Sequence, residues 1–225
     1  QTLLKMIFRP ENLMVDFVGE EKAVGLLDAP VEAFRAALYT EAVEKAHYIP
    51  EVSRKNEGFL TSGQVNYVCR AGNFRKSGLK YTGALRVLKV MLGYEYLWVN
   101  VRVKGGAYGC MCSFGRSGDS YFVSYRDPNL GRTIDIYEKA ADAIAEFTAD
   151  ERTMTQYIIG AVSDLDVPMN PAAKGLYSLS AYMTGLDDAA LQREREELLS
   201  ATVEDIRALS AHIRAFMQED LLCVV

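Results

Sequence analysis

Histidine is scarce in this 225-residue chain, which contains only His47 and His212. The two residues lie too far apart in sequence to form the short helical motifs that bind zinc. Neither has a cysteine or carboxylate nearby at a spacing typical of metal ligands, so we expect both to have structural or surface roles. The sequence therefore predicts no self-contained histidine metal site.

Cysteine is also sparse, and the four residues form no C-x-x-C pair. Cys110 and Cys112 are separated by one residue, and alternation along a strand would place both thiols on one face. This spacing is typical neither of a redox site nor of a zinc site. We expect free thiols, buried or half-buried, in a reducing compartment.

Three further absences exclude whole classes of partner. No run approaches the ~18 to 20 apolar residues of a membrane-spanning helix. No glycine-rich loop leads from a strand into a helix, as a P-loop or a dinucleotide fingerprint requires. Thirty acidic and 25 basic residues give a net charge of -5, which argues against binding to duplex nucleic acid. We therefore expect no membrane, no nucleotide and no nucleic acid as partner.

The first part of the chain alternates between strand and helix patterns. Residues 12–18 and 63–70 alternate as strands, and Pro30 is typical of a helix start before the amphipathic residues 31–39. A helix that begins near Tyr81 is indicated by apolar residues at helical spacing, Leu85, Leu88, Leu92 and Tyr96.

Residues 99–125 form the most compact β-like region, which is broken at Gly105-Gly106 and again at residues 115–119. The second break predicts a hairpin turn between strands at 109–114 and 120–125.

After Asn129 the pattern is almost entirely helical, and the chain closes on a strand-like run at 221–225. The helix starts are marked by Thr148 with Glu151, Asn170 with Pro171, Asp187, and Thr202 with Asp205. This order predicts an α+β fold with helices on one face of a mainly antiparallel sheet. Since no linker or repeat is visible, we expect residues 1–225 to form a single domain.

Residues 70–104 carry eight basic side chains against one acid, Glu95, in an otherwise acidic protein. We interpret this basic stretch as a solvated face, with docking onto an acidic partner surface as the functional alternative.

The segment 102–109 (RVKGGAYG) carries the most distinctive chemistry. Strand alternation places Arg102 and Tyr108 on one face, but an extended chain would separate them by about 20 Å at ~3.3 Å per residue. A bend at Gly105-Gly106 would bring them together, because glycine tolerates backbone angles closed to other residues. A guanidinium and a phenol beside a sheet edge are suitable donors for a peptide carbonyl, or for the oxyanion formed when water attacks it. A strand-entry loop with an incidental Arg and Tyr explains the same residues.

This segment, together with residues 125–129 (YRDPN), resembles the C-terminal domain of presequence protease. That protein is a branch of the pitrilysin/insulinase group of inverted-motif zinc metallopeptidases. The helical order after Asn129 also fits, so the resemblance covers nearly the whole chain. It implies a pitrilysin-type metallopeptidase domain, the C-terminal quarter of a larger four-domain peptidase.

The resemblance also implies a division of roles between two halves that close around a chamber. Zinc is held by an H-x-x-E-H motif in the N-terminal half, and the C-terminal half contributes an Arg and a Tyr, here Arg102 and Tyr108. These two residues would bind the substrate backbone and stabilise the transition state, with Gly105 and Gly106 shaping the loop. This chain lacks H-x-x-E-H, so we expect it to hold no metal, to carry no catalytic residue and to be inactive alone.

The implied partners are the N-terminal half of the same polypeptide and short unfolded peptides. The chain opens at Gln1 without a methionine, which we interpret as a piece of a longer polypeptide. A bacterial, cytoplasmic parent is favoured, with an organelle matrix as the alternative. The alternative function is a free-standing scaffold or assembly subunit of the same fold, with no peptidase role.

Overall fold

A computed structural model describes residues 1–44, 48–51, 53 and 55–225. The α-helices are α1 (Thr2–Ile7), α2 (Glu21–Val24), α3 (Asp28–Ala36), α4 (Ala84–Met91), α5 (Leu130–Glu138), α6 (Ala140–Ala145), α7 (Glu151–Leu165), α8 (Pro171–Thr184), α9 (Asp188–Leu199), α10 (Val203–Ala208) and α11 (Ser210–Met217). The strands are β1 (Glu57–Gly58), β2 (Asn66–Asn73), β3 (Gly109–Phe114), β4 (Asp119–Asp127) and β5 (Leu221–Val224). A π-helix, Leu92–Val103, continues directly from α4.

The chain divides into two compact units. Unit 1 comprises Gln1–Val52 and Pro168–Asp187 and contains α1, α2, α3 and α8; unit 2 comprises Ser53–Val167 and Asp188–Val225 and contains the sheet. That residues 1–225 act as a single domain stays a prediction. No helix within the described ranges is long and apolar enough to cross a membrane.

The sheet in unit 2 has the strand order β1-β5-β2-β4-β3. Strand β1 runs parallel to β5, and the other neighbours are antiparallel. Buried and accessible residues alternate along β2, β3 and β4, so helices cover one face of the sheet. The predicted α+β fold with a mainly antiparallel sheet is confirmed. We call the other side the open face; its side chains are Glu57, Tyr67, Cys69, Ala71, Asn73, Met111, Ser113, Asp119, Tyr121, Val123, Tyr125, Leu221 and Cys223.

An aromatic cluster fills the space between the covered face and the helices. The ring of Phe122 lies 5.1 Å from that of Phe216 on α11 and 5.4 Å from that of Tyr137 on α5, measured between centroids. Phe114 on β3 completes the cluster with an edge contact to Phe122 and a tilted contact to Phe216. Because Phe122, Phe216 and Tyr137 are fully buried, these contacts fix α5 and α11 against the sheet.

The main difference from the sequence prediction is at residues 99–103, which form the end of the π-helix and not a strand. Valines at 99, 101 and 103 favour strands when judged by propensity alone. Packing decides otherwise, because Leu97 and Val101 are completely buried in the helix-side core.

The π-helix ends in a cap built on two glycines. Gly106 lies in the left-handed region at φ +81° and donates its amide to the Arg102 carbonyl at 2.8 Å, while the Ala107 amide bonds the Val101 carbonyl at 3.2 Å. The arrangement resembles a Schellman cap in which each hydrogen bond spans one more residue than usual. A Cβ on Gly105 would lie 2.4 Å from the Val101 oxygen, so no side chain fits there.

Other sequence expectations are partly confirmed. The hairpin strand at 109–114 is observed, Asn170 caps α8 through the Ala173 amide, and Thr202 with Asp205 forms a capping box. Helix α7 begins at Glu151, but its cap is Asp150, which accepts from Thr153, and not Thr148.

One prediction is wrong, and the interpretation of the basic stretch as a solvated face holds for most but not all of its eight basic residues, five of which are exposed. Residues 12–18 form no strand, because an extended segment needs a neighbouring strand and no described residue pairs with it. The basic stretch is not solvated throughout, since Arg70 is only 8% exposed and pairs with Asp220.

Replacing Gly105 tests the cap. We expect Gly105→Ala to lower the free energy of unfolding by about 1–3 kcal/mol, because the new methyl group overlaps the Val101 carbonyl. Gly131→Ala in α5 is the matched control: nothing lies within 4 Å of its Cβ position, and alanine should be neutral or stabilising by up to about 1 kcal/mol. Urea unfolding measures the free energy of unfolding of both variants. If the Gly105→Ala protein is as stable as the Gly131→Ala protein, the proposed steric role of Gly105 in the cap is contradicted.

Candidate functional site

Arg102 is held between an aromatic ring and the backbone that follows the glycine turn. Its guanidinium carbon lies 3.8 Å from the centre of the Trp98 ring, in cation–π contact. Its Nε donates to the carbonyl of Tyr108 at 3.0 Å. These two contacts orient the plane of the guanidinium. Neither of its two terminal nitrogens forms a hydrogen bond with another described residue.

Tyr108 follows the turn and is 61% exposed. Its ring lies 5.6 Å from that of Tyr125, measured between centroids. Tyr125 occupies the space above Gly109, where a Cβ would lie 2.4 Å from the phenol. The guanidinium of Arg126 lies 5.3 Å from the centre of the Tyr108 ring. Tyr108 is thus supported on its ring faces, while its hydroxyl takes part in none of the hydrogen bonds found among the described residues.

The backbone of Arg126 has an unusual conformation, with φ +48° in the left-handed region. This conformation is uncommon for a residue with a Cβ and is maintained only where its surroundings require it. Here the Arg126 carbonyl accepts the Tyr108 amide at 3.2 Å. The left-handed conformation at Arg126 therefore brings the Arg126 side chain close to Tyr108.

Hydrogen bonds from the 127–129 segment anchor the glycine turn. The Asn129 side-chain amide donates to the Gly105 carbonyl. Asp127 is fully buried, and its carboxylate accepts from the backbone amide of Asn129 at 2.8 Å and from the Thr133 hydroxyl at 2.6 Å. Asn66 on β2 donates to the Asp127 carbonyl at 2.9 Å. The turn is therefore tied to the sheet and to α5.

The site offers hydrogen-bond donors and cations but little to act as an acid or a base. The nearby thiol of Cys110 stays protonated, because burial raises its pKa to about 11, although Arg102 opposes the shift. Within the described ranges, no group of three or more His, Cys, Asp or Glu side chains could hold a metal ion. The arrangement suits binding of carbonyl or oxyanion oxygens.

The structure brings the two predicted site residues together, although by another route. The expected bend at Gly105-Gly106 is observed, but Arg102 lies on a π-helix and not on a strand. Trp98 was not among the predicted site residues, although its helical spacing from Arg102 could have indicated the contact. The sequence also predicted no role for Arg126 or Asn129, whose functions depend on backbone geometry.

The histidine and cysteine expectations have mixed outcomes. His212 has a structural environment, with Nε2 2.9 Å from the Lys80 carbonyl and an edge contact to Phe74. His47 lies outside the described residues. The four cysteines are free, but whereas Cys112 is buried, Cys223 is exposed.

Sequence comparisons identify relatives much longer than this chain. A family model for the PreP C-terminal domain matches residues 56–224. Protein HypA of Clostridium perfringens is 40% identical over 220 residues, which is 98% of this chain and 23% of that protein. Presequence protease 1, chloroplastic/mitochondrial, of Arabidopsis thaliana is 40% identical over 154 residues, which is 68% of this chain and 14% of that protein. The chain thus spans less than a quarter of the length of either relative.

Structural comparisons agree on the fold. A peptidase M16 inactive domain from Pseudomonas fluorescens matches with a TM-score of 0.59 and 16% identity, over 89% of this chain and 50% of that one. Pitrilysin matches with a TM-score of 0.56 and 10% identity, over 91% of this chain and 22% of that one. At these identities the matches establish the fold alone, and the sequence relatives carry the assignment. The chain belongs to the family of presequence protease C-terminal domains.

Proposed function

We propose that this chain is the non-catalytic C-terminal domain of a zinc endopeptidase that degrades short unfolded peptides. The observation that carries the proposal is the placement of Arg102 beside Tyr108, with the Arg102 Nε bound to the Tyr108 carbonyl. The remaining guanidinium donors and the exposed phenol are donors of the kind that a carbonyl of an extended peptide accepts.

In the proposed mechanism, Arg102 binds a carbonyl of the substrate backbone near the scissile bond. Tyr108 donates its hydroxyl to the same region and stabilises the oxyanion that forms when water attacks the carbonyl. The Trp98 ring restricts the guanidinium to one plane, so less rotational freedom is lost when substrate binds. Neither residue transfers a proton in this scheme.

The metal and the general base belong to another part of the parent protein. Zinc would be bound by the N-terminal half of the same polypeptide, since the described residues offer no cluster of ligands for it. The partners are therefore that half and the peptide substrate.

We place the parent in the bacterial cytoplasm, with an organelle matrix as the alternative. The clostridial relative matches nearly the whole chain, which supports a bacterial parent. The plant relative is named for chloroplasts and mitochondria, which is why the organelle matrix stays as the alternative.

Substitution of the two donors in the intact parent enzyme tests the mechanism. We expect Arg102→Ala and Tyr108→Phe each to lower kcat by about 10²–10³-fold, the loss typical of one oxyanion donor. Zinc content should not change, because neither residue is placed at the metal.

The matched controls are Arg132→Ala and Tyr94→Phe. Arg132 is an exposed residue of α5, and Tyr94 is 68% exposed on the π-helix. Both control enzymes should turn over unfolded peptide at the wild-type rate. Wild-type turnover in Arg102→Ala and Tyr108→Phe would rule out the assigned roles.

Metal analysis of the isolated chain tests where the zinc lies. We expect no stoichiometric zinc after incubation with the metal and removal of the excess, and no peptidase activity. Stoichiometric zinc would contradict the proposed division between halves. An upstream reading frame that is continuous with Gln1 and encodes H-x-x-E-H supports the proposal, whereas a start codon directly before Gln1 supports a free-standing scaffold.

A further inference from the structure

The pairing of β2 with β5 places two cysteines directly opposite each other. Cys69 and Cys223 are register partners in this antiparallel pair. Two positions away, Tyr67 and Val225 exchange both backbone hydrogen bonds, at 2.8 and 3.0 Å. Since the two types of pair alternate, Cys69 and Cys223 form a pair of the same hydrogen-bonded type, for which the Cα atoms are about 5.5 Å apart. Disulfides span Cα separations of about 4.4–6.8 Å.

Both thiols belong to the open face, because directly opposite residues project to the same side of a sheet. Cys223 is exposed and Cys69 is half-buried. Val123 lies on the other side of Cys69, and Met111 lies opposite Val123. On β1, Glu57 is the register partner of Cys223 and lies 3.9 Å from the Lys55 amine. The row across the five strands therefore contains one acidic side chain beside Cys223 and no basic one.

The two thiols differ in exposure. Cys223 is exposed and Cys69 is half-buried, so Cys223 is the first to meet a disulfide in solution. Burial raises the pKa of Cys69, and the neighbouring Cys223 raises it further. Cys110 and Cys112 belong to the covered face, where burial raises their pKa values to about 11 and about 12. They provide internal controls.

We propose that Cys69 and Cys223 form a reactive dithiol that small-molecule disulfides, such as glutathione disulfide, close into an intramolecular disulfide. The Cys223 thiolate attacks one sulfur of glutathione disulfide, forms a mixed disulfide and releases one glutathione thiolate. Cys69 then loses its proton to solvent and attacks the Cys223 sulfur, which releases the second glutathione. Two protein thiols are oxidised to one disulfide, and one glutathione disulfide is reduced to two glutathione molecules.

Ring closure has a structural consequence for the open face. A mixed disulfide at Cys223 would hold a tripeptide on this face, one row away from Tyr125, which supports Tyr108. Attack by Cys69 removes that group and leaves a bond between β2 and β5. The dithiol would therefore clear the open face of bulky adducts and fix β5 to the centre of the sheet.

The test is incubation of the folded chain with glutathione disulfide, followed by intact mass, thiol titration and peptide mapping. We expect the loss of two of the four thiols, a mass decrease of about 2 Da from two hydrogens, and one linked peptide pair containing Cys69 and Cys223. The oxidised chain should unfold at a higher temperature than the reduced chain, because the cross-link restricts the unfolded state.

Two variants distinguish a dithiol from independent thiols. Cys69→Ser should stop at a stable glutathione adduct on Cys223, whereas Cys110→Ser should close as the wild type does. In urea the preference for the Cys69–Cys223 link should be lost. A wild-type chain that accumulates glutathione adducts, links other cysteines or keeps four free thiols under native conditions overturns the proposal.

Discussion

Backbone contact at the end of the π-helix is the constraint on which the candidate site depends. The Val101 carbonyl accepts the Ala107 amide and lies so close to Gly105 that a side chain cannot fit there. Asn129 binds the Gly105 carbonyl from the β4–α5 connection. Because the turn is held from both directions, the chain reverses within a few residues, and the Arg102 side chain reaches the backbone of Tyr108.

The electrostatics of the site follow from the same construction. Its buried carboxylate, Asp127, accepts hydrogen bonds from Asn129 and Thr133. Asp127 therefore supports the loop, and among the described residues it forms no hydrogen bond with Arg102 or Arg126. Arg102 and Arg126 instead lie against the rings of Trp98 and Tyr108. A guanidinium stacked on an aromatic ring keeps donors at its edge for another acceptor.

The sequence was informative where local chemistry decides the structure. Strand alternation with a glycine-containing turn predicted the β3–β4 hairpin, and cap residues such as Asn170 marked helix starts. It was misleading where distant packing decides. Residues 99–103 have strand propensity, but the burial of Val101 retains them in a helix. The motif identified Arg102 and Tyr108, whereas the positions of Trp98 and Arg126 depend on a π-helix and a left-handed residue that no pattern of side chains specifies.

The donor character of the site explains why the proposed substrate is unfolded. Donors aimed at a backbone carbonyl do not depend on the substrate's side chains, so they accept many sequences. They do require a carbonyl that is available, and in folded proteins most buried carbonyls are already hydrogen-bonded. Next to Arg102 and Tyr108, the open face presents apolar and tyrosine side chains, whereas its acidic side chains, Asp119 and Glu57, lie at the far end of β4 and on the edge strand β1. A surface of this kind favours extended peptides over folded proteins because only the extended chain offers its backbone to the site.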